Sequence, residues 1–282
     1  MPIALPPAQL LELTGTDAAA FAHAQFCNDV VSLAPGRWQW NAWLSAQGRV
    51  RAMFALLRLS DERLVLLLRG GEALTLRAEL ARYVFRSRVT LQALSHAAQT
   101  GYRADEVALA PDTGFVLHDD SLRLRLPFGA RVLQIGLRDA TASEDPAFDP
   151  IAAAAWHLDD IRAGLAELVP ALQDQLLPPW LGLDRLGAYS VSKGCYPGQE
   201  VIARLHFKGG NKRGLFHLTF AAETPPPSGT TLSGDAGEVG LIVDAAPAAA
   251  GRGEALAVLR ADQSGPLLAP GLREVQVISR FG

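Results

Sequence analysis

Three strand-like runs joined by two short turns constrain the fold of this chain more than any other feature. Apolar residues dominate the runs, and Gly48 and Asp61 mark the turns between them. The runs extend over 38–44, 50–59 and 64–68. This arrangement predicts an antiparallel meander.

Helical spacing of apolar residues predicts three helices, at 17–28, 74–85 and 151–164. Further short strands are predicted at 89–94, 114–117, 122–126 and 131–136, and a polar connection runs from Asp139 to Pro150. The helices and strands do not follow a regular βα alternation, so the pattern predicts an α+β fold. The proline-bounded segment 170–179 is expected to run over the surface.

After Arg213 the chain has five or six strand-like runs and no helical pattern. Pro225-Pro226-Pro227 and several glycines separate these runs. Short strands at this spacing predict a small antiparallel β-barrel as a separate C-terminal domain.

The charge balance argues against some functions. The 282 residues carry a formal net charge of −3, whereas coating of nucleic acid depends on a basic excess. The net charge does not exclude a local basic patch. The first basic residue is Arg37, so the start of the sequence resembles neither a secretory signal nor a transit helix, and we expect a cytoplasmic protein. The most apolar stretch, 64–68, is far shorter than the roughly 20 residues that cross a bilayer, so no membrane partner is expected.

Lysine is confined to one short window of the sequence. Of the 26 basic residues, 23 are arginine, and the three lysines are Lys193, Lys208 and Lys212. An ammonium and a guanidinium are not interchangeable at a site, because the ammonium is a compact charge whose pKa shifts readily. Either the three lysines cluster by chance, or this window contains a site that carries out chemistry or binds phosphate or carboxylate groups.

The two cysteines are too few for a four-ligand metal site within one chain. Cys27 follows Phe26 on an apolar helix face and is expected to be structural. No metal ligands are expected.

Cys195 is expected on an accessible loop, because Gly194 and Gly198 predict sharp turns on both sides of it. Lys193, and a helix starting at Gln199, would both lower the pKa of this thiol. A small buried cysteine in a tight turn is the alternative.

The octapeptide KGCYPGQE at 193–200 is a specific string. Through it this chain resembles the YgfZ-type folate-binding proteins, relatives of the glycine-cleavage T-protein that serve in iron–sulfur cluster assembly and maintenance. Further segments carry the resemblance in order along the chain: 14–21, 28–30, 48–50, 82–87, 161–164 and 209–213. The likeness therefore covers most of the chain.

The resemblance implies a T-protein-like, ring-shaped arrangement of three domains. Two α+β domains would be intertwined, and the C-terminal barrel would be the third domain. The implied boundaries are 1–40 with 141–212 for a discontinuous folate-binding domain, 41–140 for the second α+β domain, and 213–282 for the barrel. Tetrahydrofolate or another reduced folate is the implied cofactor. Iron–sulfur assembly proteins or cluster-containing client enzymes are the implied partners.

A reduced pterin is a flat ring with a polar edge and a tail that ends in carboxylates. Its site needs aromatic or apolar walls, a carboxylate or amide, and cations. The candidate folate-binding residues are Asp29, Asn41, Trp43, Arg49, Tyr196, Gln199, Glu200, Arg204 and Lys208. Cys195 and Lys193 are the candidate catalytic residues.

The candidate ring walls and the candidate cations also have purely structural explanations. Trp38, Trp40 and Trp43 would also fit the alternating faces of a half-buried strand. Arg49, Arg86 and Arg204 would also fit a solvated surface.

Two departures from the T-protein pattern weaken an aminomethyltransferase interpretation. Arg162 stands where those enzymes have the acidic residue of R-x-E-A-G, and a cation cannot accept the N–H donors of a pterin. Tyr196-Pro197-Gly198-Gln199 replaces aromatic-Ile-Gly-Arg and so removes a cation for the tail. Within the YgfZ pattern, Gln47 replaces the usual lysine of the first hairpin.

Three functional hypotheses follow. The first is a tetrahydrofolate-binding accessory protein in iron–sulfur cluster assembly or repair that affects tRNA modification indirectly. Its functional thiol would be Cys195, which cannot hold a cluster alone because clusters require four ligands. The alternative is a folate-dependent aminomethyl or one-carbon transferase with Asp29 near the reacting nitrogen, so enzymatic activity stays open. The third is an RNA-linked factor acting through 208–213, although the net charge disfavours direct nucleic-acid binding.

Overall fold

The computed structural model describes residues 1–107, 114–139, 148–235, 237–249 and 251–281. Two antiparallel sheets and four α-helices form the regular structure of these residues, together with two short 3₁₀ turns. Within them, no helix combines the length and the apolar character needed to span a membrane.

The larger sheet has nine strands and comes from the first half of the chain. These are β1 (Ile3–Ala4), β2 (Ala8–Thr14), β3 (Arg37–Leu44), β4 (Val50–Ser60), β5 (Arg63–Leu68), β6 (Thr90–Arg103), β7 (Phe115–His118), β8 (Ser121–Arg125) and β9 (Arg131–Asp139). They pair in the order β3-β4-β5-β2-β6-β9-β8-β7, and β1 pairs with β6. The N-terminal strand β2 therefore lies in the middle of the sheet.

Alternation along the strands divides the apolar residues of this sheet between two cores. Helices α1 (Ala18–Gln25) and α2 (Ala73–Ala81) contribute to one core, which contains Trp43. Helix α3 (Pro150–Arg162) contributes to the other core, which contains Trp38 and Trp40. Successive side chains of a strand point to opposite faces, so tryptophans of one strand serve two different cores.

The smaller sheet has five strands and follows helix α4 (Gln199–Lys208). Its strands are β10 (Arg213–Ala221), β11 (Thr231–Gly234), β12 (Gly237–Ala249), β13 (Arg252–Arg260) and β14 (Arg273–Phe281). They pair in the order β11-β12-β13-β10-β14. Residues 225–227 lie outside these strands, as their prolines predict.

Helix α3 joins the smaller sheet through two carboxylates. Arg162 binds Glu254 with contacts of 2.6 and 3.1 Å, and His217 Nε2 lies 2.7 Å from the same carboxylate. His157 Nε2 lies 3.0 Å from Asp244 Oδ1. Burial alone would raise the pKa of Glu254, but the hydrogen bonds from Arg162 and His217 outweigh burial and lower it. These contacts fix α3 between the two sheets.

Most of the predicted elements are present. The meander corresponds to β3, β4 and β5, and the three predicted helices correspond to α1, α2 and α3. The predicted strand at 89–94 is the start of the longer β6, and those at 114–117, 122–126 and 131–136 correspond to β7, β8 and β9. Most of the predicted connection from Asp139 to Pro150 lies outside the described residues.

The prediction that segment 170–179 runs over the surface is only partly right. Residues 170, 171, 174 and 175 are exposed, but the leucines of the segment are buried. Its two 3₁₀ turns are Pro170–Leu172 and Pro178–Leu181. Leu172 and Leu176 are buried in the core with Trp38. The Val50 N–H of β4 donates to the Leu176 carbonyl. A segment without long regular structure can be buried when a neighbouring strand supplies hydrogen bonds to its backbone.

The fold is a mixed, strand-rich α and β structure, as the sequence predicts. The ring of three domains, the barrel and the boundaries 1–40 with 141–212, 41–140 and 213–282 stay predictions.

Candidate functional site

Residues 193–198, the cysteine loop, lead into helix α4. Gly194 and Gly198 have φ angles of 101° and 79°, in the left-handed region that favours glycine. A Cβ atom on Gly198 would lie 2.6 Å from the Cα of Gly48, so the loop packs tightly on the turn between β3 and β4. Cys195 is exposed. The prediction of an accessible thiol on a loop is therefore confirmed.

Lys193 attaches the cysteine loop to the end of helix α1. Its ammonium donates to the carbonyl oxygens of His23 and Phe26, and the bond to Phe26 is 2.6 Å long. It also lies 5.0 Å from the ring centroid of Tyr196. Burial lowers the pKa of Lys193 to about 8. Among the described residues, no hydrogen bond or ion pair joins Lys193 to Cys195, so the expected activation of this thiol has no contact to support it.

Cys27 is sealed in the core, as predicted. Its thiol donates to the Ala188 carbonyl at 3.3 Å. Burial raises the pKa of Cys27 to about 12, which leaves almost no thiolate at neutral pH. Of the two thiols, Cys195 is the one that a partner can reach.

Asn41 and Asn28 organise the backbone beside Cys27. The carboxamide oxygen of Asn41 accepts the N–H groups of Asn28 and Ala42 at 3.0 and 2.9 Å. Asn28 in turn donates to the carbonyls of Trp40 and Gly187 at 2.9 and 2.7 Å. Asn41 is fully buried, and its carboxamide oxygen is engaged by the protein itself.

Asp29 caps the turn that follows Asn28. Its carboxylate accepts the Ser32 N–H at 3.1 Å and lies 3.4 Å from Nδ1 of His23. Burial alone would raise the pKa of Asp29, but the hydrogen bonds from Ser32 outweigh it and hold the pKa below the ordinary value.

The other predicted folate-binding residues lie in separate places. Trp43 is buried in the core of α1 and α2, and Tyr196 is buried in the other core. Arg49 lies 5.1 Å from the ring centroid of Trp180. Helix α4 carries the remaining four: Gln199, Glu200, Arg204 and Lys208. Within the described structure, the clefts lined by Trp156, by Tyr83 and by Trp38 contain none of the nine predicted residues except Arg49.

A cleft of about 390 Å³, the aromatic cleft, opens beside β3. Its lining consists of Asn28, Trp38, Gln39, Trp40, Pro127, Phe128, Arg185, Leu186 and Gly187. Trp38 and Trp40 meet edge to face, with ring centroids 5.4 Å apart. A cleft of this size with aromatic walls can hold a small flat ring.

Arg185 supplies the cation of the aromatic cleft. Its guanidinium lies 4.6 Å from the ring centroid of Phe128 and 5.1 Å from that of Phe281. It donates to the carbonyls of Ala163 and Gly164 at 2.8 and 3.1 Å. Burial lowers the pKa of Arg185 from its ordinary value. The Ala-Gly turn at the end of α3, which carries part of the resemblance seen in the sequence, therefore supports a wall of this cleft.

Several polar groups of the aromatic cleft lack a partner within the described protein. The indole N–H groups of Trp38 and Trp40 are buried without an acceptor. Gln39 donates to the Asp29 carbonyl at 3.2 Å, and no described group donates to its carboxamide oxygen. A buried polar group without a hydrogen bond costs about 1–3 kcal/mol. Because the two indole N–H groups are inaccessible, the half-buried Gln39 carboxamide is the one of these groups that a ligand could meet.

Arg162 lies outside this lining, and its guanidinium is bound to Glu254 of the smaller sheet. None of the described residues that line the aromatic cleft is acidic. The described lining therefore offers no carboxylate that could accept the N–H groups of a pterin.

None of the nine predicted folate-binding residues is in the described lining of the aromatic cleft. Trp38 and Trp40 are considered as ring walls from the sequence, but the selected tryptophan, Trp43, lies in the other core. Alternation could have separated Trp38 and Trp40 from Trp43, because residues two apart share a face of a strand. Phe128 and Arg185 follow from no local pattern, since their positions depend on how distant segments pack together.

No family model matches the chain. An uncharacterized protein of Haemophilus influenzae is 30% identical over 217 residues, which cover 76% of this chain and 71% of the relative. A tRNA-modifying protein YgfZ of Cronobacter sakazakii is 29% identical over 251 residues, which cover 84% of this chain and 76% of the relative. The chain belongs to the YgfZ family. Another YgfZ relative, from Aliivibrio fischeri, is 26% identical and matches 90% of this chain and 83% of its own length.

A solved structure agrees with the YgfZ assignment at the level of the fold. The glycine cleavage system aminomethyltransferase T from Bartonella henselae superposes with a TM-score of 0.67, and covers 92% of this chain and 78% of its own. The sequence identity is 17%, so this likeness shows the fold alone. This YgfZ protein has a T-protein-like fold.

Proposed function

We propose that this YgfZ protein is a tetrahydrofolate-binding accessory factor in the assembly or repair of iron–sulfur clusters, with Cys195 as its functional thiol. The aromatic cleft carries the proposal, because its aromatic walls, the Gln39 carboxamide and the Arg185 guanidinium suit a reduced pterin. The relatives named tRNA-modifying fit an indirect effect, through cluster-dependent enzymes that modify tRNA. We place the protein in the cytoplasm.

The residues of the aromatic cleft fit the chemistry of the pterin ring. Trp38, Trp40 and Phe128 would form its walls. The Gln39 oxygen would accept an N–H group of the ring, and the guanidinium of Arg185 would donate to its oxygen or nitrogen acceptors. A reduced folate would supply a carrier for one-carbon units.

The proposal does not extend to aminomethyl transfer or to a tail contact on α4. No acidic side chain is among the described residues that line the aromatic cleft. No described contact connects this cleft with the exposed residues Arg204 and Lys208.

Cys195 would act at a different surface from the folate. It is exposed on the cysteine loop, whereas the described lining of the aromatic cleft contains no cysteine. Because a cluster requires four ligands, one thiol could hold it only together with a partner protein or a small thiol. Folate binding and thiol function should therefore be separable by mutation.

Folate binding is tested by thermal shift and calorimetry with tetrahydrofolate under anaerobic conditions. A ligand with a dissociation constant of about 10 μM, added at about 1 mM, stabilises the folded protein by about 2.7 kcal/mol. Gln39→Leu should weaken binding by about two- to tenfold, because it removes one hydrogen bond. Gln47→Leu, in the exposed hairpin turn, is the matched control and should bind as the wild type does. Absence of a thermal shift, or equal weakening by both variants, would contradict the folate site.

The thiol is tested in a strain that lacks the protein. Cys195→Ala should fail to restore the activity of cluster-dependent enzymes, while the purified variant keeps its affinity for tetrahydrofolate. Restoration equal to that of the wild type would remove Cys195 from the proposal. Turnover of an aminomethyl donor in the presence of tetrahydrofolate would replace the accessory role with that of a transferase.

A further inference from the structure

A positively charged surface with exposed aromatic rings lies beside the cysteine loop and belongs to no part of the proposed folate site. Helix α4 forms its first part. Along the exposed side of this helix are Arg204, Phe207 and Lys208, and the Phe207 side chain is 73% exposed. The single acid of the helix is Glu200, in its first turn.

Residues 82–86 form the second part of this surface. Tyr83 and Phe85 are 48% and 87% exposed. The guanidinium of Arg86 lies 5.3 Å from the ring centroid of Phe85. Arg82 and Arg86 are both exposed, and neither pairs with a carboxylate in the part of the chain that the structure describes. Two cations thus flank two accessible rings within five consecutive residues.

An open cleft of about 800 Å³ connects the two parts. Tyr83 lines it, and so does Pro197, two residues before α4. The turn between β3 and β4 adds Arg49 and Arg51 to the lining. Two carboxylates compensate Arg51, whereas Arg49 donates to a backbone carbonyl and has no carboxylate partner among the described residues. The loop that leads into α4 and residues 82–86 thus border the same opening. Together with the cleft they carry more cations than carboxylates, on a protein of net charge −3.

Cations that interleave with exposed rings match the chemistry of single-stranded nucleic acid. Phosphates contact the cations, and unpaired bases stack on aromatic side chains. A membrane fits less well, because the exposed side of α4 carries one large apolar side chain, Phe207, and not a continuous apolar face. An acidic protein would use the cations but would leave three exposed rings without a role.

We propose that this surface, formed by α4, residues 82–86 and the cleft between them, binds single-stranded nucleic acid next to Cys195. The net charge of the whole chain conceals this local excess. The surface is independent of the folate site, and its test uses protein without folate.

The test measures the fluorescence anisotropy of a labelled oligouridylate of about 12 nucleotides, within the usual range of such sites. Phe207→Ala should weaken binding by about fivefold or more, the size expected for loss of one stacked base. Phe148→Ala removes another exposed ring, 56% exposed and outside this surface, and should have no effect. The double change Arg204→Ala and Lys208→Ala should weaken binding and reduce its salt dependence. Arg252→Ala with Arg273→Ala removes the same charge from the smaller sheet and should change neither property.

Three results would overturn the proposal. The first is that the oligonucleotide does not bind at low salt. The second is that each control loses as much affinity as the variant with which it is matched. The third is preference for another partner. Phe207-dependent binding to phosphatidylserine vesicles, without binding of the oligonucleotide, would assign the surface to a membrane. Equal affinity for polyglutamate and the oligonucleotide, independent of Phe207, would assign it to an acidic protein.

Discussion

The aromatic cleft and the cysteine loop are built in opposite ways. The cleft collects residues from four distant segments around Asn28, Trp40, Phe128 and Arg185. The cysteine loop consists of consecutive residues held by two attachments, Lys193 on α1 and Gly198 on the β3–β4 turn.

This difference affects how exposed the side chains of each region are and what a substitution there does to the protein. The tryptophans of the cleft are buried members of a core, so a change there alters binding and stability together. Cys195 is exposed, so its loss should leave the fold intact. The loop depends instead on backbone conformations and close approaches that its glycines allow.

The sharpest contrast should be the reactivity of the two thiols. At neutral pH, Ellman's reagent should label exposed Cys195 at least about a thousand times faster than Cys27, which reacts only when the core opens at a cost of 5 kcal/mol or more. Cys195→Ser leaves one thiol whose rate can be followed alone. Comparable rates would mean that the core opens locally beside the aromatic cleft.

The next effect concerns the packing of the cysteine loop. Gly198→Ala should destabilise the protein by about 2–5 kcal/mol, because it combines a left-handed φ with backbone atoms 2.6 Å from the new Cβ. Gly251→Ala is the control, since Gly251 also has positive φ but no atom within 4 Å of its Cβ position. It should lose only about 1–2 kcal/mol. Urea denaturation measures both, and equal losses would show that the close approach to Gly48 does not matter.

The smallest effect is the pH dependence due to Lys193. Its pKa falls from 10.5 to about 8 on folding, so between these values the unfolded chain binds the proton that the folded chain has released. Stability contributed by this group therefore rises as pH increases through 8. After allowance for solvent screening the gain is on the order of 1 kcal/mol. Lys193→Met should lose this gain between pH 7.5 and 10, and parallel curves for both proteins would contradict burial of the ammonium.

Local patterns were sufficient for the meander and the helices, and insufficient for the centre of the sheet. No element is predicted before Asp17, although β2 lies there and pairs between β5 and β6. Leu10 belongs to one core, and Leu11 and Leu13 to the other. A strand buried on both faces has no apolar–polar alternation and gives no clear periodic pattern.

The same limit applies to the candidate site. The thiol loop was predictable because Gly194 and Gly198 lie next to Cys195 in the sequence. The direction of the Lys193 side chain was not, since the two carbonyls that bind it belong to another segment. Arg185 was not predictable either, because rings far away in the sequence define its position.

The contact between Arg185 and Phe281 also affects how the protein is made. Arg185 leaves the ribosome well before Phe281, and at roughly 5–20 residues per second the delay is on the order of ten seconds. During that time the nascent chain lacks the β14 ring whose centroid lies 5.1 Å from this guanidinium. Folate affinity should therefore develop only after β14 has left the ribosome and has docked, so that ligand binding reports assembly of the smaller sheet.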